Sequence, residues 1–242
     1  MQTECSFKLS TDSVLLADFV NMLRVRRCLD LGSGAGVLSV LLAAKNPASE
    51  LCGIELQEEF AFLSRENLRC NGMEERTAII HGDLREHRCL VAAESFDLVV
   101  SNPPYFAENS GYSAPAEHRA AAREERFCTL FDLCAAARWA LRYGGSFSLV
   151  HRPERLSEIF CAMTELGIEP KRLRMVCYSA EKAPSLVLIE GKRGGKKGLK
   201  IEAPLILSDG SGGESDELQK IYRRGKYAPT PPVRENNNLS GE

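Results

Sequence analysis

Apolar runs of strand length recur along the first half of the chain, each followed by a polar turn and then an amphipathic stretch. Arg27–Leu31, Glu50–Glu55, Thr77–His81 and Phe96–Ser101 are such runs. Their near-continuous hydrophobicity predicts parallel strands buried on both faces. The intervening segments carry helical periodicity. Thr11, Asp12 or Ser13 can cap a helix bearing Val14, Leu15, Phe19, Val20 and Leu23. A second helix is predicted from Gly36 to Lys45, closed by Asn46-Pro47, and a third from Gln57 to Cys70, stopped at Asn71-Gly72. Residues 85–94 form a charged crossover with helical potential.

The pattern breaks after the fourth run. Residues 106–126 are polar with no apolar face, and a loop of that length is expected to be functional or mobile. A helix is predicted over Thr129–Leu141, a turn at Gly144-Gly145, a fifth strand over Ser146–His151 and a helix over Pro153–Leu166. Residues 171–178 and 184–191 read as an antiparallel closing pair, and Leu199–Pro204 as one more short strand. Residues 208–217 read as loop, and the Pro/Asn-rich residues 228–242 as a disordered tail behind a single domain spanning 1–227. Alternating strands and helices imply an α/β fold: a Rossmann-like, doubly wound, mainly parallel seven-stranded sheet with an antiparallel closing strand. Ligands in such sheets sit outside the carboxyl ends of the strands, where strand order reverses. Asp30, Glu55, Asp83 and Asn102 fall at four successive strand ends.

Composition narrows the function classes. A net charge of −2 supplies no global field for nucleic acid, so any basic footprint is local. The 9 Cys have no C-x-x-C spacing, and the 4 His have no ligand spacing. We therefore expect a reducing, cytoplasmic setting with no disulfide framework and no metal. No secretory signal is legible and no apolar run is long enough to span a membrane.

The glycine turn is Asp30-Leu31-Gly32-Ser33-Gly34-Ala35-Gly36. A dinucleotide fingerprint needs a glycine three places after the second, and Val37 stands there instead. An acid before the first glycine suits a ligand with an ammonium group better than a pyrophosphate. S-adenosylmethionine has that group, a ribose and an adenine. Glu55, with Leu56 beside it, can accept both ribose hydroxyls. Asp83 can accept from the adenine amino group while the Leu84 N–H meets a ring nitrogen. Asp12 or Asp30 can meet the methionyl ammonium. Here the chain resembles the class I S-adenosylmethionine-dependent methyltransferases over residues 12–190 or so. The cofactor residues carried by this reading are Asp12, Asp30, Gly32, Gly34, Gly36, Glu55, Leu56, Asp83, Leu84 and Asn102.

Asn102-Pro103-Pro104-Tyr105 follows the fourth strand. An exocyclic amine is a poor nucleophile because its lone pair is delocalised into the ring. Two fixed acceptors near its N–H groups draw the nitrogen towards tetrahedral geometry and stabilise the charge that develops. The Asn102 side-chain oxygen and the Pro103 carbonyl can be those acceptors, and Tyr105 offers a flat face to a planar base. The tetrapeptide resembles the motif of enzymes that methylate adenine, guanine N2 or a glutamine amide. Asn102, Pro103 and Tyr105 are thus the expected catalytic residues.

Three features bear on the acceptor. Release-factor glutamine methyltransferases carry a helical domain before the glycine turn, and the residues ahead of Asp30 are too few for one. The opening Phe7-Lys8-Leu9-Ser10-Thr11-Asp12-Ser13-Val14-Leu15-Leu16 resembles that of the bacterial valine-tRNA adenine-N6 methyltransferases. So do Asn102-Pro103-Pro104-Tyr105-Phe106, Ala122-Arg123-Glu124, Leu149–Leu156 and Pro184–Lys192. The resemblance implies N6-methylation of an adenine beside the anticodon of a valine tRNA. The expected substrate contacts are Pro104, Phe106, Arg119, Arg123 and a basic cluster of Lys192, Arg193, Lys196 and Lys197.

Overall fold

The computed structural model describes residues 11–105 and 128–224, with only the backbone of the last two. In chain order the elements are α1 (Thr11–Phe19), β1 (Arg27–Leu31), α2 (Val37–Lys45), β2 (Glu50–Glu55), α3 (Glu58–Cys70), β3 (Thr77–His81) and the one-turn α4 (His87–Leu90). There follow β4 (Phe96–Ser101), α5 (Leu130–Ala140), β5 (Leu141–His151), α6 (Leu156–Glu165), β6 (Ile168–Cys177) and β7 (Leu186–Arg193). Two short strands, β8 (Lys200–Ile201) and β9 (Leu205–Ile206), and a last helix, α7 (Asp216–Arg224), end the described chain.

The strands form one sheet in the order β3-β2-β1-β4-β5-β7-β6, with β8 and β9 both added in parallel along β6. Strands β1 to β5 are mutually parallel, and β7 runs antiparallel between β5 and β6. The seven-stranded expectation holds for the main sheet. The single extra strand expected near residue 200 is two short pieces instead. Strand order reverses between β1 and β4, which lie side by side (Leu29 opposite Val99). This reversal places the carboxyl ends of β1 and β4 around a crevice.

Both faces of the sheet are covered, and this explains the apolar runs. On one face Cys28, Leu51, Leu98 and Val100 pack with α1, α2 and α7. On the other, Leu29, Leu31, Val99 and Phe147 pack with α5 and α6. Successive residues of β1 and β4 thus alternate between two cores, and neither face can accept a polar side chain cheaply.

Local differences from the sequence reading have identifiable causes. Helix α1 stops at Phe19, and Leu23 is exposed rather than on an apolar face. Lys45 terminates it by donating to the carbonyls of Ala17 (2.7 Å), Asp18 (2.9 Å) and Val20 (2.6 Å). Gly144-Gly145 does not precede β5 but lies within it, where the β4–β5 register shifts between Phe96 and Leu98. Gly144 has φ +79, and a Cβ on Gly145 would stand 3.0 Å from the Asp97 carbonyl. The pair makes a bulge rather than a turn. Helix α7 falls partly in a stretch read as loop. Ser215 caps it, its Oγ accepting from Leu218 N at 3.2 Å, and Leu218 and Ile221 are buried. The tail 228–242 and the loop over 106–126 lie outside the described residues.

Candidate active site

The glycine turn leaves β1 in backbone conformations that L side chains rarely adopt. Gly32, Gly34 and Gly36 have φ +73, +53 and +82. The N–H groups of Gly32 and Ser33 donate to the Ile54 carbonyl at 2.9 and 3.1 Å, tying the turn to β2. The three glycines then divide by role. A Cβ built on Gly32 or Gly34 meets nothing within 4 Å, so these two keep space open for a ligand. A Cβ on Gly36 would meet Ser64 Oγ at 2.4 Å. Gly36 does not line the cavity; its expected contact with the cofactor is corrected to close packing of α2 on α3.

A cavity of about 360 Å³ lies in front of this turn. Asp12, Asp30, Gly32, Gly34, Glu55, Leu56, Asp83 and Leu84 line it from the donor side. Asn102, Pro103, Pro104 and Tyr105 line it from the β4 end. The structure therefore brings together every described residue expected at the cofactor and catalytic sites except Gly36.

Glu55 is buried at the end of β2 and held by two backbone N–H groups, Gly34 N at 2.7 Å and Gln57 N at 2.9 Å. Each carboxylate oxygen keeps a lone pair for a ribose hydroxyl. Burial raises its pKa, and the Gln57 and Gly34 bonds oppose the rise. Asp30 is 1% exposed. Its Oδ2 accepts from Ser39 Oγ at 2.7 Å, while Oδ1 has no partner among the described residues. Burial pushes its pKa up to about 7, against the Ser39 hydrogen bond and with help from the Glu55 charge. Asp83 caps a single 3-10 turn (Leu84–Glu86), accepting from Arg85 N at 2.9 Å, and its carboxylate also pairs with the Arg85 guanidinium. That guanidinium holds its pKa below the usual carboxylate range.

These residues fit S-adenosylmethionine on the structure's own terms. Asp30 Oδ1 is a buried acceptor without a partner, which a cationic group would satisfy. The Gly32–Gly34 cradle would be filled by any larger side chain. Glu55 presents two anchored oxygens. When bound, the cofactor supplies a methyl group activated on a sulfonium.

On the acceptor side, α1 presents Asp12 and Ser13 to the Asn102 turn. Asn102 Nδ2 donates to Ser13 Oγ at 2.9 Å, and its Oδ1 accepts from the Tyr105 hydroxyl at 2.7 Å. The same hydroxyl lies 2.7 Å from Asp12 Oδ2, so one proton is shared between two acceptors. Burial and the Asp12 charge push the phenol pKa far up. Asp12 thus orients Tyr105, in addition to lining the cavity. Asn102 Oδ1 keeps a second lone pair for a substrate N–H. The Tyr105 ring is not bare: the Arg152 guanidinium stands 5.2 Å from its centroid, and His151 meets it edge-on at 5.3 Å.

One member of the basic cluster is corrected. Arg193 is buried, its guanidinium bonded to Glu94 and to the Leu141 carbonyl, so it serves the fold. Lys192, Lys196 and Lys197 are exposed, and Lys192 stands opposite Ser146, midway along β5. The cavity is at the carboxyl end of β5, five residues or about 16 Å further along the strand. Phe106, Arg119 and Arg123 lie outside the described residues. Sequence reasoning missed Ser13, Ser33, Phe60 and His151, all of which line the cavity. His151 ends β5, so the strand-end rule that found the four acids and amides could have found it. Among the described residues no cluster of His, Cys, Asp or Glu suits a metal, and no helix is long and apolar enough to cross a membrane.

Comparisons with known proteins agree with this geometry. The family model described as methyltransferase small domain matches residues 5–164. The chain is 31% identical over 208 residues to the tRNA1(Val) (adenine(37)-N6)-methyltransferase of Aeromonas hydrophila, covering 86% of each. It is 30% identical over 195 residues to the enzyme of the same name from Porphyromonas gingivalis, covering 78% of this chain and 76% of that one. Among solved structures, a protein from Agrobacterium tumefaciens described as a predicted O-methyltransferase superposes with a TM-score of 0.73 at 23% identity, over 92% of this chain and all of that one. TrmN from Thermus thermophilus gives 0.55 at 19%, over 75% of this chain and 47% of that one. At such identities the structures speak to the fold alone, and their acceptor atoms do not carry over. The chain belongs to the methyltransferase small domain family, enzymes that take their methyl group from S-adenosylmethionine.

Proposed function

We propose that this enzyme methylates N6 of an adenine in tRNA, next to the anticodon of a valine tRNA. The observation that carries the chemistry is the Asn102 turn at the cavity wall. Asn102 is held from both sides, by Ser13 and by Tyr105, so its carbonyl oxygen is oriented before substrate arrives. Preorganised acceptors act where charge develops and need no reorganisation during transfer. Asn102 Oδ1 and the Pro103 carbonyl accept the two N–H groups of the amine, which leaves the nitrogen lone pair to face the donor side. Each such bond to a charge-developing centre contributes about 1.5–3 kcal/mol. Neighbouring apolar walls (Leu38, Phe60, Leu133) limit water in the same space. The tRNA assignment is supported by the identity to relatives named for that reaction over most of their length.

The test uses purified enzyme and donor labelled in the methyl group, offered total tRNA, rRNA and protein from cells lacking the modification. After digestion, label is expected as N6-methyladenine from the tRNA fraction. Label recovered as N2-methylguanine or methylglutamine would replace the assignment.

A further inference from the structure

We propose that His151 is a specificity-determining residue: its Nε2–H donates to a ring nitrogen of the target base, N1 or N7 of adenine, beside the amine that Asn102 holds. The proposal rests on the reading of the site as an adenine N6-methyltransferase and adds the group that recognises the ring.

The protonation of His151 follows from its contacts. Its Nδ1 lies 2.8 Å from the backbone N–H of Arg152, which can only donate, so Nδ1 is the unprotonated nitrogen. The ring is buried, and burial, with the charge of Arg155 adding to it, lowers its pKa to about 4. A neutral imidazole with Nδ1 as acceptor carries its proton on Nε2. That nitrogen is buried and has no hydrogen-bond partner among the described residues. A buried donor left unpaired is costly, so this N–H calls for an acceptor, either a ligand atom or an ordered water.

Placement supplies the second, independent argument. Ser101 of β4 lies opposite Leu149 of β5. Asn102 comes one residue after Ser101, and His151 two after Leu149. Both therefore stand at the same end of neighbouring strands, which run about 4.8 Å apart. His151 lines the cavity and meets the Tyr105 ring edge-on at 5.3 Å. The wall thus offers acceptors at Asn102 and Pro103, with the buried Nε2–H of His151 as the proposed donor beside them. Adenine presents the matching pattern on either edge: an amine that donates, flanked by N1 or N7, which accept. Guanine presented by its Watson–Crick edge sets a donating N1–H beside N2, so His151 would face a like group. The donor selects adenine against that approach.

The experiment crosses enzyme variants with base analogues. tRNAs are assembled with adenine, 1-deazaadenine or 7-deazaadenine at the target position, and kcat/KM is measured with wild type, His151→Phe and His151→Gln. Phenylalanine removes the donor but keeps a ring edge for Tyr105; glutamine places an amide N–H near the position of Nε2. Wild type is expected to lose about tenfold or more on one of the two analogues, a C–H having replaced the acceptor. His151→Phe should be slow on adenine, indifferent to that same analogue and unchanged in donor affinity by calorimetry. His151→Gln should recover part of both the rate and the discrimination. Wild type indifferent to both analogues would overturn the proposal without reference to any variant. Equal losses for wild type and His151→Phe on each analogue would overturn it too, since the two changes would then be independent. Wild type transferring to none of the tRNAs would instead sink the underlying reading, and this proposal with it.

Discussion

The Tyr105 hydroxyl donates to Asn102 Oδ1 across 2.7 Å, so the residue expected to hold the base first holds the residue proposed to hold the amine. The two side chains act as a unit in the free enzyme, with Asp12 competing for the same proton. Substitutions should therefore separate their roles. Asn102→Ala removes an acceptor and is expected to lower kcat by about a hundredfold or more, with donor affinity kept. Tyr105→Phe removes only the orienting bond and should cost about tenfold or less. Single-turnover rates measure both. Equal losses would mean that the hydroxyl does more than orient Asn102.

The glycines predict opposite signatures. Gly34→Ala puts a Cβ into open cavity at positive φ, so donor affinity should fall by more than the small loss of thermal stability would suggest. Gly36→Ala drives a Cβ into Ser64 of α3, so the melting temperature should fall further while the folded fraction binds donor nearly as before. Calorimetry and thermal melts of the two proteins settle the contrast.

Stability should respond to pH through two groups that oppose one another. The folded pKa of Asp30, about 7, lies above its ordinary 3.8, so its contribution is fully present below pH 4 and is lost as pH rises to 7. That of His151, about 4, lies below its ordinary 6.5, so its contribution is fully present above pH 6.5 and is lost as pH falls to 4. The gaps correspond to about 4 and about 3 kcal/mol, so in wild type they nearly cancel between pH 4 and 6.5. Asp30→Asn removes the falling component, and denaturant midpoints of that variant should rise with pH across this range. His151→Phe should show the reverse slope.

The lysines are expected to matter little. Changing Lys192, Lys196 and Lys197 together to Ala should leave the KM for tRNA within about twofold and the salt dependence of binding unaltered. A raised KM with a flattened salt slope would put these lysines on the RNA path after all.

Legibility in the sequence followed the range of the interaction. Strands buried on both faces have no alternative to apolar residues, so β1 to β4 were readable to the residue. Acids and an amide at their carboxyl ends marked the site because that edge is where such sheets bind. The roles of individual side chains were less readable wherever they depend on partners distant in sequence. Gly36 reads like its neighbours in the turn, and only Ser64, 28 positions on, distinguishes it. Arg193 reads as one basic residue among several until Glu94 closes on it from 99 positions away. Asp12 reads as a cofactor ligand, and its bond to Tyr105 spans 93 positions. Helix α7 was missed although Ser215-Asp216-Glu217-Leu218 is a capping sequence, because the glycines and serines before it hid the start.

Thr11 Oγ1 and Tyr222 Oη lie 3.2 Å apart, joining α1 to α7. Helix α1 carries Asp12 and Ser13, the partners of Tyr105 and Asn102. The residues expected at the donor, Asn102 apart, are all synthesised by Leu84, whereas the helix that buttresses the acceptor side emerges only after Asp216. A nascent chain would thus have the donor side of the cavity in hand well before its acceptor side is braced. Assembly in that order delays competence until translation has passed α7, and a chain ended at Ser215 is expected to retain donor binding in calorimetry while its transfer rate collapses.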